Sequence, residues 1–219
     1  MQYNSWLYLF PFLGGSLILY YLLPIKRRWI GLLFSSLLFY ILTMKSLVVV
    51  VLFTTAAIYL GARVIEQFNE TFKLKKKELD RAARKELKNK TTTKIRYVIA
   101  FLCFINFGIL FVTKYFNFFG ENINALFNAL HIPAQIPFLN IFLPLGISFY
   151  TLSAISYVTD VARGVCKVER NYLRLLLFLI FFPVITEGPI SRYGQLGEEL
   201  KAKHRFDYKQ FCFGAQLIT

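Results

Sequence analysis

The 219 residues are 56% hydrophobic and 18% aromatic, and 26 Lys and Arg stand against 12 Asp and Glu for a net charge of +14. A water-soluble domain carries roughly 45–50% apolar residues; here the surplus is gathered into runs, which implies a bilayer as solvent rather than a large core. The basic residues fall between those runs, where the positive-inside rule places them, so the charge argues for membrane lipid as a partner and against nucleic acid.

A transmembrane helix needs about 20 apolar residues, with roughly 17–25 the usual range. Candidate spans cover about 5–23, 29–44, 46–62, 96–117 and 138–161, a shorter run covers 172–186, and a further apolar segment begins near Phe206. The first run has no positive charge before it and no small-x-small site after it, so it reads as a retained span and not a cleaved signal. Lys26-Arg27-Arg28 mark its inner end. Residues 65–90 place Ile65, Phe68, Phe72, Leu79, Ala83 and Leu87 near helical spacing among many Lys and Arg. That pattern predicts one amphipathic basic helix lying on the inner leaflet, attracted by about 1 kcal/mol per basic residue. Docking of an acidic carrier protein is its alternative reading. The loop from Phe118 to Phe142 holds no Lys or Arg and belongs outside; Arg163, Lys167, Arg170 and Arg174 return to the inside. The predicted topology is multi-pass in the cell membrane with the N-terminus outside, the 219 residues forming part of one membrane domain.

Two segments carry the candidate chemistry. In Leu143-Pro144-Leu145-Gly146-Ile147-Ser148-Phe149-Tyr150 and the residues after it, Gly146, Tyr150, Ser153, Ser156, Tyr157 and Asp160 share one side of a helix at 100° per residue. Leu145, Ile147, Leu152, Ile155 and Val158 take the other side. Hydroxyls and a carboxylate at membrane depth belong against protein or a wet cavity, so the stripe predicts a site or a path. In Phe181-Phe182-Pro183 through Glu187-Gly188-Pro189-Ile190-Ser191-Arg192-Tyr193, Pro183 and Gly188-Pro189 break the helix. Broken helix at that depth is tolerated only inside protein or beside water. Either the segment is re-entrant and lines a polar tunnel, or a span ends near Thr186 with Glu187 and Arg192 at the interface.

Cys103, Cys166 and Cys212 are far apart, with no ligand-spaced partner, and read as small buried apolar residues; no metal site is expected. His131 and His204 have no nucleophile or carboxylate at triad spacing.

The two segments resemble the paired signatures of the membrane-bound O-acyltransferase family, in the branch that acetylates exported polysaccharide. The strings are Leu143 to Thr151 with Ala154-Ile155-Ser156-Tyr157 and Asp160, then Phe181-Phe182-Pro183 with Glu187-Gly188-Pro189-Ile190-Ser191-Arg192-Tyr193; Arg205-Phe206-Asp207-Tyr208 with Phe213-Gly214 fits the stretch that follows. The resemblance implies an all-α, polytopic transmembrane bundle, incomplete here, with a re-entrant or broken helix. It implies an enzyme that takes an acyl group, acetyl by preference, from acetyl-CoA or an acyl carrier in the cytoplasm. The group would go to an exported or cell-wall polysaccharide, with an extracytoplasmic acetyltransferase as partner and no bound cofactor. The family's essential histidine lies beyond Thr219, so no catalytic residue is assigned here and these residues alone are expected to be inactive. Ser148, Tyr150, Ser156, Asp160, Glu187, Arg192 and Tyr193 are assigned structural or tunnel-lining roles. A related branch transfers D-alanine from a carrier protein to teichoic acid; Glu187 and Ser191 favour the acetylating branch over it. A transporter or flippase is the rival from another class, since it too uses broken helices.

Overall fold

A computed structural model describes residues 8–44, 48–76, 79–138, 146–185, 191–202 and 205–218. Among the described residues the chain is helical, with no strand. Tyr8–Leu13 forms a π-helical entry that contains Pro11 and runs into α1 (Gly14–Leu22). Pro11 lacks an N–H, and the wider turn accommodates the lost i→i−4 bond. Leu23, before Pro24, is extended with ψ 145, as the clash with the proline ring requires. Then follow α2 (Arg28–Met44), α3 (Val48–Lys75), α4 (Arg81–Lys114), α5 (Phe116–Ala129), α6 (Ile147–Arg163), α7 (Tyr172–Ile180) and α8 (Tyr208–Ile218). A π turn, Tyr193–Gly197, precedes α8.

The helix expected over 65–90 does not exist as one element. Nothing between Ala62 and Lys75 can break a helix, so α3 runs straight on through Phe68 and Phe72. The chain turns before Asp80, which caps α4 in an extended conformation with φ −68 and ψ 164. Two helix extensions replace the single surface helix. α3 and α4 are each long and apolar enough to cross a membrane by length and composition.

The core lies between α6, α7 and the first four helices. α6 packs on α3, α4 and α7, and α7 packs on α2 and α3. Those neighbours on several sides bury residues on both the polar and the apolar side of α6. Leu152 is exposed, but Ile147 and Val158 are as buried as Tyr150 and Tyr157; Leu145 lies outside the described residues. α7 is buried all round from Leu175 to Ile180, each at most 4% exposed. Its nine residues span about 14 Å, too short to cross hydrocarbon alone. It stops at Ile180, before Pro183, and Phe181–Val184 turns back on itself through a Val184 N–H to Phe181 carbonyl bond. The outward faces of α1 to α4 are apolar, with Ile18, Phe34, Phe53, Leu60, Phe101 and Phe104 exposed. Such a belt is costly in water and expected against lipid.

Candidate functional site

The two signature segments meet at Gly146. This residue precedes α6 in the left-handed region, φ +68, and a Cβ placed on it would stand 2.0 Å from the Ile185 carbonyl oxygen. Only glycine combines that backbone conformation with so close an approach. Its contact seats the Phe182–Ile185 turn against the first turn of α6. Behind it, Phe12, Phe39 and Phe182 form an aromatic cluster with ring centroids 5.3–6.2 Å apart. The Phe182 N–H is 3.4 Å from the Ser36 hydroxyl.

One turn along α6, Tyr150 is buried beside Tyr40. Neither hydroxyl has a hydrogen-bond partner among the described residues. Tyr150 and Ser153 line a cavity of about 10 Å³ with Phe149, Phe178, Leu179, Val184, Ile185 and Ser191. That volume suits about one water molecule. The cavity lies between α6, α7 and the turn after α7, with Ser191 in its wall.

The other end of α6 is built differently. Gly164, φ +74, closes the helix, with Gly164 N–H to Val161 carbonyl at 3.0 Å and Val165 N–H to Asp160 carbonyl at 2.9 Å. The chain then brings Glu169 beneath the helix, 7% exposed. Its carboxylate accepts from the Tyr193 hydroxyl at 2.6 Å, the Asn171 N–H at 2.9 Å and the Lys201 ammonium at 2.7 Å. Its own N–H donates to the Tyr157 hydroxyl at 2.9 Å. Tyr193 stacks on Tyr157 at 4.8 Å and meets Phe178 edge-on at 5.0 Å. Burial alone raises the Glu169 pKa, but the bonds from Lys201, Tyr193 and Asn171 outweigh it and hold the carboxyl below its ordinary value. Burial, then the hydrogen bond to Glu169, pushes the Tyr193 phenol up, so it stays a donor. Beside this cluster Glu66 of α3 pairs with Arg63 and, at 3.0 Å, with Arg170. The Tyr59 hydroxyl donates to the Arg170 carbonyl at 2.9 Å.

The assigned residues are thus divided among three places. Tyr150 lines the cavity, and Tyr193 belongs to the Glu169 cluster. Asp160 is buried near Cys166, whose thiol is pushed up to about 11 by burial first and by Asp160 second. Ser148 and Ser156 are half-buried on α6, and Arg192 is exposed at the start of the π turn, where its carbonyl accepts from Leu196 N–H at 3.0 Å. Glu187 lies outside the described residues, as does His204; His131 is exposed at the end of α5. No group of three or more His, Cys, Asp or Glu that could hold a metal occurs among the described residues. Sequence reasoning missed Glu169, Lys201 and Tyr40. A signal for Glu169 existed: it is the sole acidic residue between Asp160 and Glu187, set among Arg163, Lys167, Arg170 and Arg174.

The chain is 30% identical over 202 residues to a probable alginate O-acetylase of Pseudomonas aeruginosa, an alignment covering 91% of this chain and 34% of that protein. A second probable alginate O-acetylase, from Pseudomonas syringae pv. tomato, is 34% identical over 121 residues, 54% of this chain and 21% of the relative. Both alignments make the chain similar to acyltransferases of the membrane-bound O-acyltransferase type. A teichoic acid D-alanyltransferase of Bacillus subtilis is 34% identical over 70 residues, 32% of this chain and 18% of that protein. The chain spans about a third or less of the curated relatives it matches. No family model and no solved structure matches it. Apolar outer helices and relatives of this kind make it a membrane protein.

Proposed function

We propose that the chain is part of an O-acyltransferase that moves an acetyl group from a cytoplasmic donor, acetyl-CoA or an acyl carrier, to an exported polysaccharide. The observation that carries this reading is the alignment with an alginate O-acetylase over 91% of the chain. The geometry supports it. The turn that follows the short buried helix α7 packs against Gly146 at Ile185, beside a small cavity that Tyr150, Ser153 and Ser191 help to line. Residues of that kind can line a passage from which bulk water is kept, and an activated acyl group survives only where water is excluded. Tyr150, Ser153 and Ser191 would line it, Glu187 would stand at its bend, and Tyr193 would position the segment through Glu169. A histidine outside these 219 residues would supply the general base or acyl acceptor. The basic end of the bundle, with Arg63, Arg163, Lys167, Arg170 and Lys201, would face the cytoplasm and the N-terminus the outside. An extracytoplasmic acetyltransferase would take the group on to the polymer.

The test is genetic and chemical. Deleting the gene, then restoring the full-length copy, should abolish and recover O-acetyl esters on the exported polysaccharide, read by NMR of the purified polymer. Acetyl content unchanged by deletion ends the proposal. Loss of D-alanyl esters from teichoic acid instead, a result the similarity to the Bacillus subtilis protein allows, would move the chain to the other branch.

A further inference from the structure

The last turn of α1 meets the segment that leads into α8, and a groove is left between the two helices. Tyr21 meets Phe206 edge-on at 5.2 Å, and Phe206 lies against Phe211 at 5.7 Å. These three rings are shared by two adjoining cavities. One, of about 560 Å³, follows α1 from Gly14 to Leu22, with Leu17 and Ile18 in its wall. The other, of about 880 Å³, has Tyr20, Arg205, Tyr208 and Gln210 in its wall. Together they form one groove, apolar along the nine residues of α1, about 14 Å, and polar at its end.

This division coincides with a membrane edge. α1 stops at Leu22, Leu23 is extended before Pro24, and Lys26, Arg27 and Arg28 follow. The apolar part therefore stands at hydrocarbon depth and the polar part at headgroup level. Arg28 stands 5.2 and 5.1 Å from the ring centroids of Tyr20 and Tyr21 and donates to the Leu23 carbonyl at 3.3 Å. That packing holds both phenols at the same level. Arg205 is exposed and has no ion pair among the described residues. The nearest carboxylate in sequence, Asp207, accepts from the Lys209 N–H at 2.9 Å and the Gln210 N–H at 3.4 Å. It caps α8 instead of neutralising Arg205.

We infer that this groove holds an anionic glycerophospholipid, with an acyl chain along Leu17, Ile18 and Leu22 and the phosphate at Arg205. The polarity of the groove chooses the occupant. An acyl chain lying along α1 runs parallel to its neighbours in the leaflet, so it enters sideways without leaving hydrocarbon. Its phosphate then arrives where a guanidinium, two phenols and an amide offer donors. A free phosphate would use Arg205 and leave the apolar part uncovered. A zwitterionic lipid would bring an ammonium group toward Arg205 and Arg28. A protein segment would fill the apolar part but would give no reason for a cation at the headgroup end. The leaflet follows from the orientation proposed above; the groove and its polar end do not depend on it.

The experiment places p-benzoylphenylalanine at position 18 of the full-length protein, 63% exposed in the apolar part, and at Phe104 on α4 as a control outside the groove. Each protein is reconstituted into vesicles of phosphatidylethanolamine with phosphatidylglycerol as the minor lipid, irradiated, and its adducts are weighed by mass spectrometry. At position 18, phosphatidylglycerol should exceed its share of the vesicle lipid about fivefold, the ratio that one basic residue at a lipid surface supplies. At position 104 it should match that share. Arg205→Glu should remove the enrichment and Arg205→Lys should keep it. Lys209→Glu, the same charge change on α8 outside the groove, should leave it unaltered. Added glycerol phosphate should not displace the lipid. Adducts of bulk composition at position 18, or none, refute the site. So does enrichment that survives Arg205→Glu or is lost equally in Lys209→Glu, and so does displacement by glycerol phosphate, since the acyl chain would then add nothing. A crosslink from position 18 to another segment of the same protein would show that the groove is closed by the protein itself.

Discussion

Around Glu169, at the basic end of α6, the hydroxyls of Tyr157 and Tyr193 and both carboxylate oxygens have partners; around Tyr150, near its first turn, the hydroxyls of Tyr150 and Tyr40 make no hydrogen bond among the described residues, although Thr54 of α3 lies beside Tyr150. Both regions are buried to a similar degree. A buried polar group left unpaired costs about 1–3 kcal/mol, and a satisfied one contributes about 1 kcal/mol. The satisfied region therefore reads as a structural clasp joining α6, the loop before α7 and the π turn. The other, beside a cavity that suits about one water, holds hydroxyls that no protein group satisfies among the described residues, which is what a working surface looks like.

The largest effect should come from Gly146→Ala. The added Cβ would collide with the Ile185 carbonyl, a backbone atom that cannot rotate away, and alanine is strained at φ +68. A loss of about 3 kcal/mol or more is expected, with poor recovery of folded full-length protein and a lower Tm in detergent. A normal Tm would mean the two signature segments do not meet here. Glu169→Ala should follow at about 3 kcal/mol, the low end for a broken buried pair because Lys201 retains solvent contact and Glu198 at 3.2 Å. Tyr193 would then be left as an orphan donor. If Glu169→Ala is as stable as the parent, the clasp is incidental.

Much of this was legible in the sequence, for reasons that particular residues make clear. Pro24 and Pro183 announce breaks through local chemistry, and the helix ends stand next to them. Gly146 could be picked out as part of a motif, but its reason, the approach of Ile185, depends on two segments far apart in the chain. The basic stretch 65–90 misled because periodicity reports helix without reporting length, and the run-on of α3 past Ala62 has no local marker. Glu169 was overlooked since its partners Tyr193 and Lys201 lie 24 and 32 positions away. The helical wheel separates Ile147 and Val158 from the polar stripe but cannot show that α6 has neighbours on several sides and that both are buried.

A smaller effect sharpens the clasp. The Glu169 carboxyl is held below its ordinary value, so the folded state favours the charged form. Its stabilising contribution is complete above the unfolded carboxylate pKa, about 4.3, and is lost as pH falls through the folded value. The Tm difference between the parent and Glu169→Gln should therefore be constant from neutral pH down to about 5 and shrink below about 4. A difference that does not change with acid would mean the carboxylate charge adds nothing.

Tyr150→Phe should have the smallest effect on stability and is the sharpest test of the contrast. The substitution removes one buried oxygen and leaves the ring, so packing against α3 and Tyr40 is preserved. If the hydroxyl has no protein partner, its loss should leave stability unchanged or raise it by up to about 1 kcal/mol, with Tm level or higher. The same change should lower polymer acetylation if the oxygen lines the acyl path. Tyr40→Phe, further from the cavity lining, should match it in stability while affecting acetylation less. A Tm drop in Tyr150→Phe comparable to that of Glu169→Ala would show that the two ends of α6 are paired alike. The unsatisfied hydroxyl would then lose its claim to be a functional one.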